Sequence, residues 1–215
     1  MIPTVLFDLD GTILDTNELI IESFLHTLEG RTTVPYTRET LIPHMGKPLV
    51  EQLRIFSGQE DVEELVKIYR AYNFSRHDEL VKPFPYVQET MAKLHAAGVK
   101  IGVVTVKIRQ TSEMGLALCG LRPYIDSIVT SDDVTKPKPD PEGIYRALRE
   151  MGAEGQPAIM VGDSYHDILA GQNANIMTVG VSWSLKGREF LEKQNPTYII
   201  DDIRELLPIV GVMEA

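Results

Sequence analysis

Two aspartates stand one residue apart near the start of the chain, in Thr4-Val5-Leu6-Phe7-Asp8-Leu9-Asp10-Gly11-Thr12. An apolar, β-branched run leads into them. Side chains alternate on a strand, so Asp8 and Asp10 face the same way with Leu9 between them. Two carboxylates held at one strand end repel each other unless a cation or a shared proton sits there. Gly11 allows a sharp turn, and Thr12 offers a hydroxyl and a free backbone N–H. Such a site suits Mg²⁺ and phosphate, with one carboxylate left to attack phosphorus. A strand that simply ends in acidic turn residues accounts for one aspartate more easily than for the whole Asp-Leu-Asp-Gly-Thr sequence.

Three further stretches carry related chemistry. Val103-Val104-Thr105-Val106-Lys107 reads as a strand end whose threonine can donate to an anion, together with the free N–H groups of a following helix. Threonine is common in strands, so this signal is weak alone. Thr135-Lys136-Pro137-Lys138-Pro139-Asp140-Pro141 is a proline-stiffened loop able to hold an ammonium group in place, on Lys136 or Lys138. With Asp140 as N-cap and Pro141 in the first turn, Lys138 lies one short step from a helix start. Ile159-Met160-Val161-Gly162-Asp163-Ser164-Tyr165-His166-Asp167 runs from an apolar strand into Gly-Asp-Ser and then a helix. Asp163 sits at the strand end and Asp167 near one face of the first turn. Helix capping explains one of these acids, but not their recurrence at a second strand end.

The elements that must position these groups can be read from periodicity. Short apolar runs recur at Val5–Leu9, Ile101–Thr105, Ile128–Thr130, Ile159–Gly162, Thr178–Val181 and Tyr198–Ile200. Helical patterns at 87–97, 141–151 and 164–173 separate several of them. Strands alternating with helices predict an α/β protein, a parallel sheet covered on both faces. In such sheets ligands bind outside the carboxyl ends of the strands, where the winding reverses. All four chemical signals fall at such ends.

One segment breaks the rhythm. Residues 16–81 hold no convincing strand. Leu19, Ile20, Ser23, Phe24, Thr27 and Leu28 are spaced as a helix, as are Val62, Leu65, Val66, Tyr69 and Tyr72. Thr33–Tyr36 and Pro43–Pro48 look like loops between them. The expected organisation is a core of residues 1–15 and 82–215 with a helical insert at 16–81. His44-Met45-Gly46-Lys47-Pro48 is the most suggestive insert loop: Gly46 permits close approach to a ligand, and Lys47 offers a cation to a second anion. Lys107 and Arg109 are further candidates for that anion. A solvated lysine beside proline is the plainer reading of Lys47.

The 215 residues suffice for one good core plus a small second domain, and 43% of them are hydrophobic. The net charge of −10 is interspersed, with no basic stripe, which argues against nucleic acid as a partner. An acidic protein that handles phosphate must build a locally positive site from Mg²⁺, lysine and backbone N–H groups. Cys119 is the single cysteine, so no internal disulfide forms, in keeping with a reducing cytoplasm. No apolar run reaches the roughly 18 residues of a membrane helix, and no signal-like pattern opens the sequence.

Phe-Asp-Leu-Asp-Gly-Thr at 7–12, Val-Val-Thr at 103–105, Lys-Pro-Asp-Pro at 138–141 and Gly-Asp-Ser-Tyr-His-Asp at 162–167 together resemble the motif set of the haloacid dehalogenase-like (HAD) hydrolases, in that family's order. The resemblance spans essentially the whole chain. Its finer features are similar to the phosphoglycolate phosphatase branch. Within that branch, residues 103–121 and 129–142 look like the PpaX-type inorganic pyrophosphatases. The resemblance implies a Rossmann-like, doubly wound parallel core with a small helical C1-type cap. It also implies Mg²⁺ as cofactor and a small phosphorylated substrate or pyrophosphate as partner. Carried over by position, Asp8 would be the nucleophile. Asp10 would be the acid–base, with its carbonyl on the metal. Thr105 and Lys138 would bind phosphoryl oxygens. Asp163 would be a direct metal ligand, supported by Asp167. Backbone groups of Leu9, Val106 and Lys107 would add contacts. Lys136 also fits the lysine pattern of the family, and Lys138 is preferred on helix register and on the longer match.

Other readings compete. A phosphomutase of the same fold would return the phosphoryl group to a sugar. Dehalogenases and phosphonate hydrolases of the family commonly lack the second aspartate, so Asp10 speaks against them, although Lys47 resembles a cap lysine used for Schiff-base chemistry. A non-catalytic binding protein on this fold would be expected to lose a motif carboxylate, and none is lost.

Overall fold

The computed structural model describes residues 1–212. Six parallel strands form the main sheet: β1 (Thr4–Phe7), β4 (Lys100–Val104), β5 (Ser127–Val129), β6 (Ala158–Gly162), β7 (Met177–Val181) and β8 (Tyr198–Ile200), in the order β5-β4-β1-β6-β7-β8. Counting only these six along the chain, the order is 3-2-1-4-5-6, the doubly wound arrangement, and winding reverses between β1 and β6. A separate two-stranded ribbon pairs β2 (Leu14–Asp15) antiparallel with β3 (Lys82–Pro83). Neither short strand is visible in the sequence, because two residues show no periodicity.

Alternation on the strands fills both faces. Val5 and Phe7 point into one core with Ile101, Val103, Ile159 and Val161, while Leu6 points into the other with Val104 and Met160. Helices α5 (Val87–Ala96), α6 (Arg109–Leu118), α7 (Glu142–Glu150) and α8 (Tyr165–Asn173) cover the sheet, and the short α9 (Arg188–Glu192) and α10 (Leu206–Val210) close its later half. Burial on both sides explains why the strands read as continuous apolar runs.

Residues 16–81 form helices α1 (Asn17–Leu28), α2 (Arg38–Leu41), α3 (Leu49–Ser57) and α4 (Glu63–Leu80), with a 3₁₀ turn at Ile42–His44. They share an apolar cluster of their own, in which Phe24 packs edge-on against Phe56 and tilted against Tyr69. α2 and α3 escape sequence reading: one is a single turn, and the other is a nine-residue helix that starts directly after the Pro43–Pro48 loop. Among the described residues, no helix is long and apolar enough to cross a membrane.

Candidate active site

β1, β4 and β5 end one or two residues earlier than periodicity predicts, while β6, β7 and β8 end where expected, and that placement exposes the chemistry. β1 stops at Phe7, so Asp8 and Asp10 lie just past the sheet. The Asp8 N–H still donates to the Val161 carbonyl at 2.8 Å, which ties Asp8 to β6 across the reversal point. Gly11 follows with φ +79°, a left-handed turn that favours glycine. A Cβ there would stand 2.7 Å from Asp163 Oδ2, so the absent side chain lets two strand ends converge. Thr12 departs from expectation. Its N–H is engaged by the Leu9 carbonyl at 3.4 Å, and its hydroxyl is wholly buried, so neither is offered to a ligand.

Asp8, Asp163 and Asp167 present carboxylate oxygens within 4.8 Å of one another. Lys138 enters this cluster from the loop before α7 and is 6% exposed. Its ammonium donates to Asp8 Oδ1 at 2.7 Å, to Asp167 Oδ1 at 2.6 Å and to the Val104 carbonyl at 2.7 Å. All three donors are thus used. Lys136 instead is exposed, and its backbone N–H donates to Glu142. α7 begins at Glu142 with Pro141 as N-cap, one residue later than expected, and Asp140 Oδ1 accepts from the Glu142 N–H.

Asp167 serves two partners. Its Oδ2 accepts from the Ser164 N–H and hydroxyl in a capping box that opens α8, while Oδ1 faces Lys138. Capping and site chemistry share one side chain. Asp10 stands apart from the triad: both of its carboxylate oxygens accept from Lys107 Nζ, at 3.0 and 3.1 Å. Thr105 is buried past the end of β4, and its hydroxyl oxygen accepts from the Lys107 N–H at 3.2 Å, which leaves the O–H free to donate. Arg109 turns away, to Asp133 and the Ile128 carbonyl. The acidic turn at 131–133 competes successfully for it, and it does not line the cavity.

Burial governs the electrostatics. Withdrawal from water pushes the Asp8 carboxyl up to about 7, against the opposing pull of Lys138. Burial, then the neighbouring Asp167 and Asp8 charges, holds Asp163 well above the usual carboxylate range. Burial disfavours the Lys138 ammonium, but Asp167 and Asp8 more than offset it, so its pKa is raised. Three clustered carboxylates with one lysine leave excess negative charge, and hard oxygen donors of this kind fit a divalent cation such as Mg²⁺.

A cavity of about 350 Å³ opens above these groups, between the core and the helical insert. Its floor includes Asp8, Asp10, Thr105, Val106, Lys107, Lys138, Asp163 and Asp167; its roof includes Met45, Gly46, Lys47, Tyr69 and Asn73. Lys47 is only partly free, since its ammonium is paired with Glu51.

The HAD-like hydrolase family model matches residues 5–181, more than half of the chain. The chain belongs to the haloacid dehalogenase-like hydrolases. It is an enzyme of that family, a phosphohydrolase, and the expected α/β fold holds. Pyrophosphatase PpaX of Bacillus velezensis is 46% identical over 213 residues, covering 98% of this chain and 97% of that one. Pyrophosphatase PpaX of Bacillus cereus is 48% identical over 212 residues, covering 99% and 98%. A HAD-like hydrolase structure from Streptococcus pneumoniae superposes with a TM-score of 0.84 at 23% identity, over 97% of this chain and 98% of that one, a likeness of fold.

Sequence reading missed Lys186 and His166. Lys186 Nζ donates to the Met45 carbonyl of the insert at 2.6 Å. Trp183-Ser184-Leu185-Lys186 follows β7, so the rule that ligands gather at carboxyl strand ends would have flagged it. His166 is buried beside Asp167 and packed on Tyr165.

Proposed function

We propose that this hydrolase cleaves inorganic pyrophosphate to two phosphates through an aspartyl-phosphate on Asp8. The observation that carries the chemistry is the cluster of Asp8, Asp163 and Asp167 around buried Lys138, with Asp10 across from it. A carboxylate oxygen of Asp8 attacks phosphorus, and the bond to the bridging oxygen breaks. Asp10 gives a proton to the departing phosphate. Asp10 then takes a proton from the water that attacks the aspartyl-phosphate, releasing the second phosphate and regenerating Asp8. Lys138 and the Thr105 hydroxyl neutralise the spread charge on the transferring oxygens, the main demand of phosphoryl transfer. Asp8, Asp163 and the Asp10 carbonyl would hold Mg²⁺, with Asp167 supporting that shell. Bound there, Mg²⁺ supplies the positive charge that draws Asp8 into its anionic form and offsets the phosphoryl charge.

Pyrophosphate as substrate is supported by the PpaX relatives and by the cations Lys47 and Lys107 in the cavity wall. Residues 16–81 would act as the cap that sets this choice, and 1–15 with 82–215 as the core. The separate apolar cluster of the insert and its double passage through the β2–β3 ribbon support that division. A second reading, a small phosphate monoester such as phosphoglycolate, is favoured by the apolar wall of Ile20, Leu49 and Phe74. Phosphate release from pyrophosphate, phosphoglycolate and common monoesters tests both. Turnover of pyrophosphate at a kcat/KM below that of every monoester would overturn the first reading. An Asp8→Asn variant that stays folded by circular dichroism yet keeps activity within tenfold would overturn the nucleophile.

A further inference from the structure

We infer that Lys186 is a positioning residue that latches the cap loop onto the strand end carrying Asp163, and so sets where Lys47 stands over the site. The contacts form one connected path. The Ser184 hydroxyl donates to the Asp163 carbonyl at 2.8 Å. The Lys186 N–H donates to that same hydroxyl oxygen at 3.3 Å, and Lys186 Nζ donates to the Met45 carbonyl at 2.6 Å. The side chain lies half-buried over the ring of Phe190 at 5.1 Å, which narrows the orientations open to it.

The loop is shaped for this contact. Gly46, next to Met45, has φ +93°, and a Cβ there would lie 3.2 Å from Ser164 Cβ and 3.6 Å from His166 Nδ1. Glycine therefore lets the loop backbone sit flush on the first turn of α8. His166 Nδ1 is buried there with no hydrogen-bond partner among the described residues. The charge-assisted bond from Lys186 to the Met45 carbonyl is therefore a directional tie between loop and core at this point. Lys47 follows directly and lines the cavity.

The latch stands on geometry alone, while its kinetic consequence rests on the pyrophosphatase reading. Hydrogen exchange over residues 42–52 is compared in wild type, Lys186→Met and Lys186→Arg without substrate, and KM and kcat for pyrophosphate are measured in parallel. Lys186→Met is expected to speed exchange about tenfold in that segment and not in β1 or β6, the size of effect for loss of a charge-assisted bond. It is expected to raise KM about five- to tenfold with kcat within twofold, and Lys186→Arg is expected to restore both readouts. Unchanged exchange overturns the latch, as does faster exchange throughout the core, which marks a structural role. Faster local exchange with KM unmoved overturns the positioning of Lys47. If wild type does not turn over pyrophosphate, the proposed substrate falls, and exchange together with KM for the best monoester decides the latch.

Discussion

Replacing Lys138 by Met keeps the length of the side chain and removes the ammonium that three acceptors share. Asp8 and Asp167 then lose their hydrogen-bonded cation at 2.7 and 2.6 Å, inside a site where Lys138 is 6% and Asp167 1% exposed. Removing one partner of a buried pair costs about 3–5 kcal/mol, because the remaining charge is left uncompensated. Asp8, already raised to about 7, relieves part of this by taking up a proton. We therefore expect the lower end, about 3 kcal/mol at neutral pH. At about 2–4 °C per kcal/mol for a chain of this size, Tm falls by roughly 6–12 °C. The sign with pH follows from the raised carboxyl. A carboxyl whose folded pKa exceeds its unfolded value binds more protons when folded, so its fold loses stability as pH rises between the two values. Without Lys138 the folded value of Asp8 rises beyond about 7, so the deficit relative to wild type grows as pH rises above about 7. Activity loses a charge-stabilising donor, worth on the order of 10²–10³ in kcat. Thermal unfolding by circular dichroism and phosphate release measure the two effects. Lys138→Met/Asp167→Asn should recover about half of the lost stability and none of the activity, which separates folding from chemistry. Lys136→Ala, at an exposed site, should stay within about 0.5 kcal/mol of wild type. A Lys138→Met enzyme within tenfold of wild type in kcat, or a Lys136→Ala enzyme equally impaired, would refute the reasoning.

Mg²⁺ should raise Tm more at about pH 8 than at about pH 5.5, because Asp8 and Asp163 are raised and must shed protons to bind it. At about 100 times Kd the gain is about 2.7 kcal/mol, and a shift of equal size at both pH values would count against those carboxylates as ligands. Activity should require Mg²⁺, with Ca²⁺ inhibiting through its larger, looser coordination; full turnover in excess chelator would contradict this. Gly11→Ala should weaken Mg²⁺ affinity at least tenfold, since its Cβ meets Asp163 Oδ2 at 2.7 Å in a left-handed turn; calorimetric titration of folded protein checks it. Lys47→Ala should raise KM a few-fold for pyrophosphate and less for a monoester with a neutral leaving group, whereas Glu51→Gln, which frees Lys47, should lower KM for pyrophosphate. Equal changes for both substrates would remove Lys47 from substrate choice.

The sequence by itself determined the sheet, the places where chemistry collects and most of the residues at those places. Continuous apolar runs are the mark of strands buried on both faces, and an aspartate, threonine or lysine directly after such a run cannot enter the core. That logic reached Asp8, Asp10, Thr105 and Asp163; helix register and the family motifs added Lys138 and Asp167, and helical spacing marked 16–81. It fixed element ends only to within a residue or two: β1 stops at Phe7 rather than Leu9, and α7 starts at Glu142 rather than Pro141. Tertiary structure decided which neighbours each charge keeps. Lys136 and Lys138 share one proline-flanked pattern, and the fold buries only the second among carboxylates. Lys107 and Arg109 lie two residues apart, yet one faces Asp10 and the other is drawn off by Asp133. Lys186 has no sequence mark beyond its place after a strand, and it gains its partner because a loop 141 positions earlier folds down beside it. Periodicity reports which face of an element is buried, which is local. The pairing of charges across the sheet reversal depends on how loops from distant parts of the chain meet, and that is fixed only when both cores are packed.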